Sequence, residues 1–142
     1  MSKPRVLFIC THNSARSQMA EAFLKKYGAA HFEAASAGLE PTQIHPMTYK
    51  VMEEAGIPLT DHRAKGLDEF LMKIHVGYVI TVCANAEANC PIFPGVPVRQ
   101  YWGLDDPAAF EGTESEQLAK FREVRDQIKV RVKAFLKENA AG

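Results

Sequence analysis

The chain alternates between short apolar runs and longer segments in which apolar residues return every three or four positions. "VLFI" (6–9) is a run of the kind that fills a strand buried on both faces. "SQMAEAFLKKYG" (17–28) puts Met19, Ala20, Phe23, Leu24 and Tyr27 on one helical face, with Gly28 as the residue just past the helix end. "FEAASAG" (32–38) reads as a second strand. "HPMTYKVMEEAG" (45–56) reads as a helix with Pro46 in its first turn and Gly56 as its stop. "LDEFLMKIH" (67–75) predicts a short helix. "YVITVC" (78–83) is rich in β-branched residues and predicts a third strand. "VPVRQYW" (96–102) is a fourth, and its proline points to a sheet edge. "TESE" (113–116) fits a capping box between Thr113 and Glu116. Leu118, Phe121, Val124, Ile128, Val132 and Phe135 then recur at helical spacing.

Strands that alternate with helices imply an α/β fold, a parallel sheet with helices on both faces. In such sheets ligands sit beyond the carboxyl ends of the strands, where strand order reverses. The chain has 142 residues, which suits one domain spanning 1–142. Its formal net charge is zero, so neither a nucleic acid nor a membrane surface is an expected partner. No apolar run approaches the roughly 20 residues that span a bilayer. The N-terminus has a basic start and a short apolar run but no cleavage-like site, so no signal peptide is expected. The three cysteines, Cys10, Cys83 and Cys90, are an odd number without a secretory signal. Reduced thiols in a cytoplasmic protein are the expectation.

The end of the first strand carries the chemistry. Cys10 follows the apolar run directly, "THNSA" can turn tightly, and a helix begins near Ser17. Asn13 tolerates the left-handed conformation such a turn needs. A curled loop entering a helix N-terminus directs several N–H groups inward and makes an anion cradle from Thr11, His12, Asn13, Ser14, Ala15 and Arg16. Arg16 adds a planar, permanently charged fork that suits a tetrahedral oxyanion. Cys10 would lie at the base of that cradle, where the helix dipole and Arg16 favour its thiolate. Ser17 would share a hydrogen bond with the sulfur. The plainer alternative is a buried cysteine and a surface arginine. C-x5-R-S between a buried strand and an amphipathic helix is much less frequent by chance than C-x5-R alone.

"CTHNSARSQMAEA" resembles the phosphate-binding loop of the low-molecular-weight protein tyrosine phosphatase fold. Within that fold it is similar to the thioredoxin-coupled arsenate reductases. "SAG" (36–38), "YVITVC" (78–83) and "WGLDDPA" (102–108) extend the resemblance over nearly the whole chain. It implies a four-stranded sheet of order 2-1-3-4, Cys10 as nucleophile, Arg16 as oxyanion binder and Asp106, before Pro107, as acid. Two departures stand out: His12 and Ala15 replace a glycine and a cysteine that family loops often carry. His12 either contacts the substrate edge or, the reading preferred from sequence, points to solvent.

Phosphate and arsenate have the same charge and nearly the same shape, so the cradle alone does not choose between them. The other thiols bear on the choice. Cys83 ends strand 3 as Cys10 ends strand 1, and neighbouring strands lie about 4.8 Å apart. Cys90 completes "CANAEANC", a C-x6-C pattern that is not a usual zinc spacing. If the intervening residues are helical, Cys83 and Cys90 stand about 10.5 Å apart along the axis, beyond disulfide reach. Oxidation would then unwind the segment, with "PIFPGVP" (91–97) absorbing the change. The expected reaction is reduction of arsenate to arsenite through Cys10, Cys83 and Cys90. The resemblance implies thioredoxin as electron donor, with glutaredoxin as the other donor to test. The alternatives are a tyrosine phosphatase working through a Cys10 phosphoenzyme, and a redox-sensing module without turnover. "DPAAF" places Ala108 and Ala109 where the resembled phosphatases carry aromatic residues.

No tightly bound cofactor is expected. Some relatives bind a potassium ion beside the loop, which here would involve Asn13, Glu21 and Ser36. Lys65 either fills that place with its ammonium or, the reading preferred from sequence, is solvated. A monomer is expected.

Overall fold

A computed structural model describes residues 3–71, 75–91 and 98–139. Four parallel strands form one sheet: β1 (Arg5–Cys10), β2 (Glu33–Gly38), β3 (Tyr78–Thr81) and β4 (Val98–Tyr101), in the order β2-β1-β3-β4. This is the order that the resemblance implied. The helices are α1 (Arg16–Gly28), α2 (Pro46–Glu54), α3 (Ala84–Asn89) and α4 (Glu114–Asn139).

β1 is central, and Val6, Leu7, Phe8 and Ile9 are fully buried, which explains its unbroken apolar run. Cys10 stands opposite Gly38 on β2, and Ile9 stands opposite Thr81 on β3. Cys10 and Cys83 therefore leave the same edge of the sheet from neighbouring strands. β4 pairs only with β3 and is an edge, as its composition predicts.

α4 packs against α1 and α2, and buries Phe121, Val124, Ile128, Val132 and Phe135. Each such side chain contributes about 1.5–3 kcal/mol. The capping box is formed: Thr113 N donates to Glu116 Oε1 (3.0 Å), and Glu116 N donates to Thr113 Oγ1 (3.1 Å). Pro46 opens α2, and Gly56 follows its end with φ +79°.

Several expectations need correction. Gly28 is the last residue of α1, not the residue beyond it. A Cβ there would lie 2.6 Å from Leu136 Cδ2 and 2.9 Å from Leu24 Cδ1, so its small size lets α4 approach. Tyr27 is exposed, stacked on Phe23 and beneath the Lys129 and Lys133 ammoniums, rather than on the apolar face. The helix predicted over 67–75 is a single 3₁₀ turn, Leu67–Glu69, with 72–74 outside the described residues. Gly66 bridges Gly38 immediately before this turn. Most of the 91–97 loop also lies outside the described residues, as does the start of the strand predicted over 96–102.

Candidate active site

Residues 11–15 curl between the end of β1 and the start of α1 and close around Cys10. Asn13 makes the turn possible: its φ is +54°, the only positive value among the described non-glycine residues. That conformation carries Asn13 N to 3.2 Å from Cys10 Sγ. No side chain caps α1, so its first-turn N–H groups remain open to an anion. A cavity of about 120 Å³ lies here, lined by Cys10, Thr11, His12, Ser14, Ala15, Arg16, Asp106 and Ala108. Its size suits a tetrahedral oxyanion, and Ala108 leaves its mouth without an aromatic wall.

Cys10 is 3% exposed. Its sulfur lies 2.8 Å from Ser17 Oγ. Arg16 is held by the loop after β4: Nη1 donates to Leu104 O (3.0 Å), and Nη2 lies 3.7 Å from Asp106 Oδ2. Asp106 also accepts from Ala108 N through Oδ1 (3.0 Å). A carboxyl group thus lines the same cavity as the thiol, supplied by a loop some 96 residues away in sequence.

Two expectations change inside the loop. Asn13 does not line the cavity; it is fully buried behind it. Its Nδ2 donates to Ser17 Oγ (2.7 Å), and its Oδ1 accepts from Gln18 Nε2 (2.8 Å) and Lys65 N (3.0 Å). Asn13 is therefore the brace of the loop. His12 is exposed, yet it does not simply point to solvent: Nδ1 hydrogen-bonds Glu40 O (3.0 Å) while the residue lines the cavity rim.

Glu21, Ser36 and Lys65 form a buried cluster behind the loop. Ser36 Oγ donates to Glu21 Oε1, and the Lys65 ammonium lies 3.6 Å from that oxygen and 3.5 Å from Ser36 Oγ. The Lys65 side chain is 12% exposed, so the solvated reading is wrong. Burial pushes the Glu21 carboxyl up, but Lys65, Lys25, Ser36 and His62 together hold it below its ordinary value. Burial likewise pulls Lys65 down against the opposing pull of Glu21. Asn13 Oδ1 already receives two donors and an ammonium already faces Glu21. These residues therefore do not fit a potassium ion. Among the described residues, no group of three or more His, Cys, Asp and Glu side chains is arranged to hold a metal.

Sequence reasoning missed several supporting residues. Gly38 ends β2 against the loop, where a Cβ would lie 2.8 Å from Asn13 N, His12 C and Thr11 O. A glycine closing an apolar strand beside the predicted loop was the available signal. His45 N and Thr48 Oγ1 both donate to Ser14 O (3.1 Å each), so α2 clamps the loop from another side. Gln18 ties Asn13 to Arg63 O and to His62. No local pattern announces those contacts.

Cys83 is the N-cap of α3 and is 4% exposed. Its sulfur accepts from Ala86 N (3.3 Å) and lies 3.4 Å from Thr11 Oγ1, so it touches the loop that surrounds Cys10. Cys90 caps the other end of α3, half-buried, with its N–H on Ala86 O (2.8 Å). Burial pushes the Cys90 thiol up, with Arg99 opposing. All three thiols are free.

The model of the low molecular weight phosphotyrosine protein phosphatase family matches residues 5–141. An arsenate reductase of Bacillus licheniformis is 42% identical over 135 residues, covering 95% of this chain and 96% of that protein. A solved arsenate reductase in a phosphate-binding state has 32% identity and a TM-score of 0.78, with 95% and 98% of the two chains covered. A thioredoxin-dependent arsenate reductase of Corynebacterium glutamicum has 32% identity and a TM-score of 0.73, covering 96% of this chain and 61% of that longer one. The chain therefore belongs to the low molecular weight phosphotyrosine protein phosphatase family, alongside its arsenate reductase relatives.

Proposed function

We propose that the protein reduces arsenate to arsenite through Cys10, Cys83 and Cys90. The observation that carries this reading is the position of Cys83. Its sulfur rests against Thr11 of the oxyanion loop, on the sheet edge where Cys10 ends β1, while Cys90 waits at the far end of α3.

The loop N–H groups and Arg16 hold the oxyanion over the Cys10 thiolate. The thiolate attacks arsenic, and Asp106 protonates the oxygen that leaves as water. The product is a Cys10–arsenic(V) thioester. Cys83 then attacks Cys10 Sγ. The sulfur–arsenic bond breaks with its electron pair on arsenic, which leaves as arsenite, and a Cys10–Cys83 disulfide remains. The two thiols have supplied the two electrons. Cys90 attacks Cys83 Sγ, frees the Cys10 thiolate and leaves a Cys83–Cys90 disulfide. A protein dithiol of the thioredoxin class reduces that bond, a role supported by the similarity to the thioredoxin-dependent arsenate reductase of Corynebacterium glutamicum.

The last transfer requires α3 to open, because helical geometry holds Cys83 and Cys90 about 10.5 Å apart along the axis. Ala108 at the cavity mouth supports a small inorganic ion over a phenyl ester.

The test is a coupled assay with arsenate, thioredoxin, thioredoxin reductase and NADPH. Wild-type protein consumes NADPH continuously. Cys83→Ser and Cys90→Ser leave Cys10 able to act once and stop cycling. If both variants cycle normally, the relay is wrong. Steady aryl-phosphate hydrolysis without arsenate-dependent NADPH oxidation would establish the phosphatase reading instead. Glutaredoxin in place of thioredoxin identifies the donor.

A further inference from the structure

The hydrogen bonds around Cys83 have a single consistent direction, set from a backbone carbonyl. Asn89 Nδ2 lies 2.9 Å from Asn85 O, which only accepts, so the amide nitrogen of Asn89 faces Asn85. The same nitrogen lies 2.9 Å from the Asn85 side chain, which must therefore present Oδ1 to it. Asn85 Nδ2 is thereby turned to Thr11 Oγ1, at 2.9 Å. The Thr11 oxygen accepts from Asn85, and its own proton is left for Cys83 Sγ, at 3.4 Å. No other group among the described residues hydrogen-bonds that hydroxyl.

We infer that Asn85 is a positioning residue for the second thiol: anchored by Asn89, it fixes the Thr11 hydroxyl as a donor to Cys83. This rests on the role of Cys83 in the reaction proposed above. Cys83 must attack as a thiolate, and a hydroxyl aimed at the sulfur stabilises that form. A donor hydrogen bond to a charged group is among the stronger ones in proteins. Asn85 is exposed and does not line the oxyanion cavity, so it acts through Thr11 and not on the substrate. Near Cys83, the titratable and charged groups are Cys10 at the end of β1, Glu87 and Cys90 on or beside α3, and Arg99 on β4. Arg99 Nη2 donates to Glu87 Oε1 (2.9 Å) and Thr81 Oγ1 donates to Glu87 Oε2 (3.1 Å), so both carboxylate oxygens already have partners.

The informative variant is Asn85→Asp. It keeps the shape but replaces the donor by a carboxylate that captures the Thr11 proton. An acidic residue in the first turn of α3 also suits the helix. In a Cys10→Ser/Cys90→Ser background, Cys83 is the only thiol, and its thiolate is followed by ultraviolet absorbance against pH. Asn85→Asp is expected to move the profile up by about one pH unit, a tenfold loss of thiolate at fixed pH. Asn85→Ala moves it less, because it frees the hydroxyl without capturing its proton. With Thr11→Val, the effect of Asn85→Asp falls to less than half. Coincident profiles overturn the inference. So does an Asn85→Ala shift as large as that of Asn85→Asp, or an undiminished Asn85→Asp shift in the Thr11→Val background.

These readings use no arsenate, so they are independent of whether Cys83→Ser stops turnover. In the coupled assay, Asn85→Asp lowers kcat about tenfold with KM for arsenate unchanged, and an unchanged kcat counts against the role.

Discussion

Ser17 Oγ stands 2.8 Å from Cys10 Sγ and accepts at 2.7 Å from Asn13 Nδ2. The Asn13 amide is oriented by Lys65 N, which donates to its Oδ1. The serine proton is therefore directed to the sulfur. A hydrogen bond to a charged group is worth about 1.5–3 kcal/mol. Ser17→Ala should slow the alkylation of Cys10 by iodoacetate roughly 10- to 100-fold at neutral pH, with the fold intact. Alkylation at the wild-type rate would show that the thiolate does not depend on this hydroxyl.

Gly38 and the loop share a space with no slack. A methyl group at residue 38 would meet backbone atoms of Thr11, His12 and Asn13 at 2.8 Å, and backbone cannot swing aside as a side chain can. Gly38→Ala should cost about 1–3 kcal/mol in urea unfolding. It should also lower kcat/KM on the order of 100-fold through a displaced cradle. Retention of full activity would mean that the loop tolerates a shifted frame.

The Lys65 ammonium is the innermost counter-charge of Glu21. Lys65→Met leaves Glu21 with Lys25, whose side chain is half exposed, and with His62 at 3.9 Å. Breaking a buried pair by removing one partner costs about 3–5 kcal/mol, and the remaining Lys25 reduces that to about 2–4 kcal/mol. Chemical unfolding measures it. The double variant Glu21→Gln/Lys65→Met should recover part of the loss. A double variant no better than Lys65→Met would show that the lysine stem, not its charge, matters.

Acid should unfold the protein in two stages. Burial holds the imidazoles of His62, against the pull of Glu21, and of His45, against that of Asp106, below their ordinary 6.5. The unfolded chain takes these protons first, so the stability is present above about pH 6.5 and is lost as pH falls through the folded values. Glu21 is held below its ordinary 4.5, so its contribution is present above 4.5 and is lost further down. Melting temperature against pH should be level near neutrality, decline below 6.5 and steepen below 4.5. His45→Asn, which can still cap α2, should flatten the upper decline. A profile that rises on acidification from 7 to 5 would contradict this account.

Much of this was legible from spacing. The unbroken apolar run of β1, the β-branched β3 and the capping box of α4 each follow from local chemistry, and each stands where the pattern places it. The loop from Cys10 to Arg16 was legible because its residue types serve conformation and charge at once. Partners distant in sequence were not. Lys65, for which a solvated ammonium was the preferred reading, lies 44 positions beyond Glu21 and meets it only in the folded chain. Asn13 was legible as a turn residue, but its side-chain partners come from Gln18 and Lys65. Gly28 looked like a terminator because a glycine near a helix end usually is one. Its actual constraint is Leu136, 108 residues downstream.

α3 has a consequence for timing. It is only six residues long, with one thiol at each end, and Cys90 N–H closes its last turn on Ala86 O. While that turn holds, the effective concentration of Cys90 at Cys83 is close to zero, although the two are joined by a short tether. Once it opens, the same tether raises that concentration to about the millimolar range. In the proposed cycle, α3 is therefore a gate on encounter. It holds the third thiol away from the second until the Cys10–Cys83 disulfide is in place to be attacked.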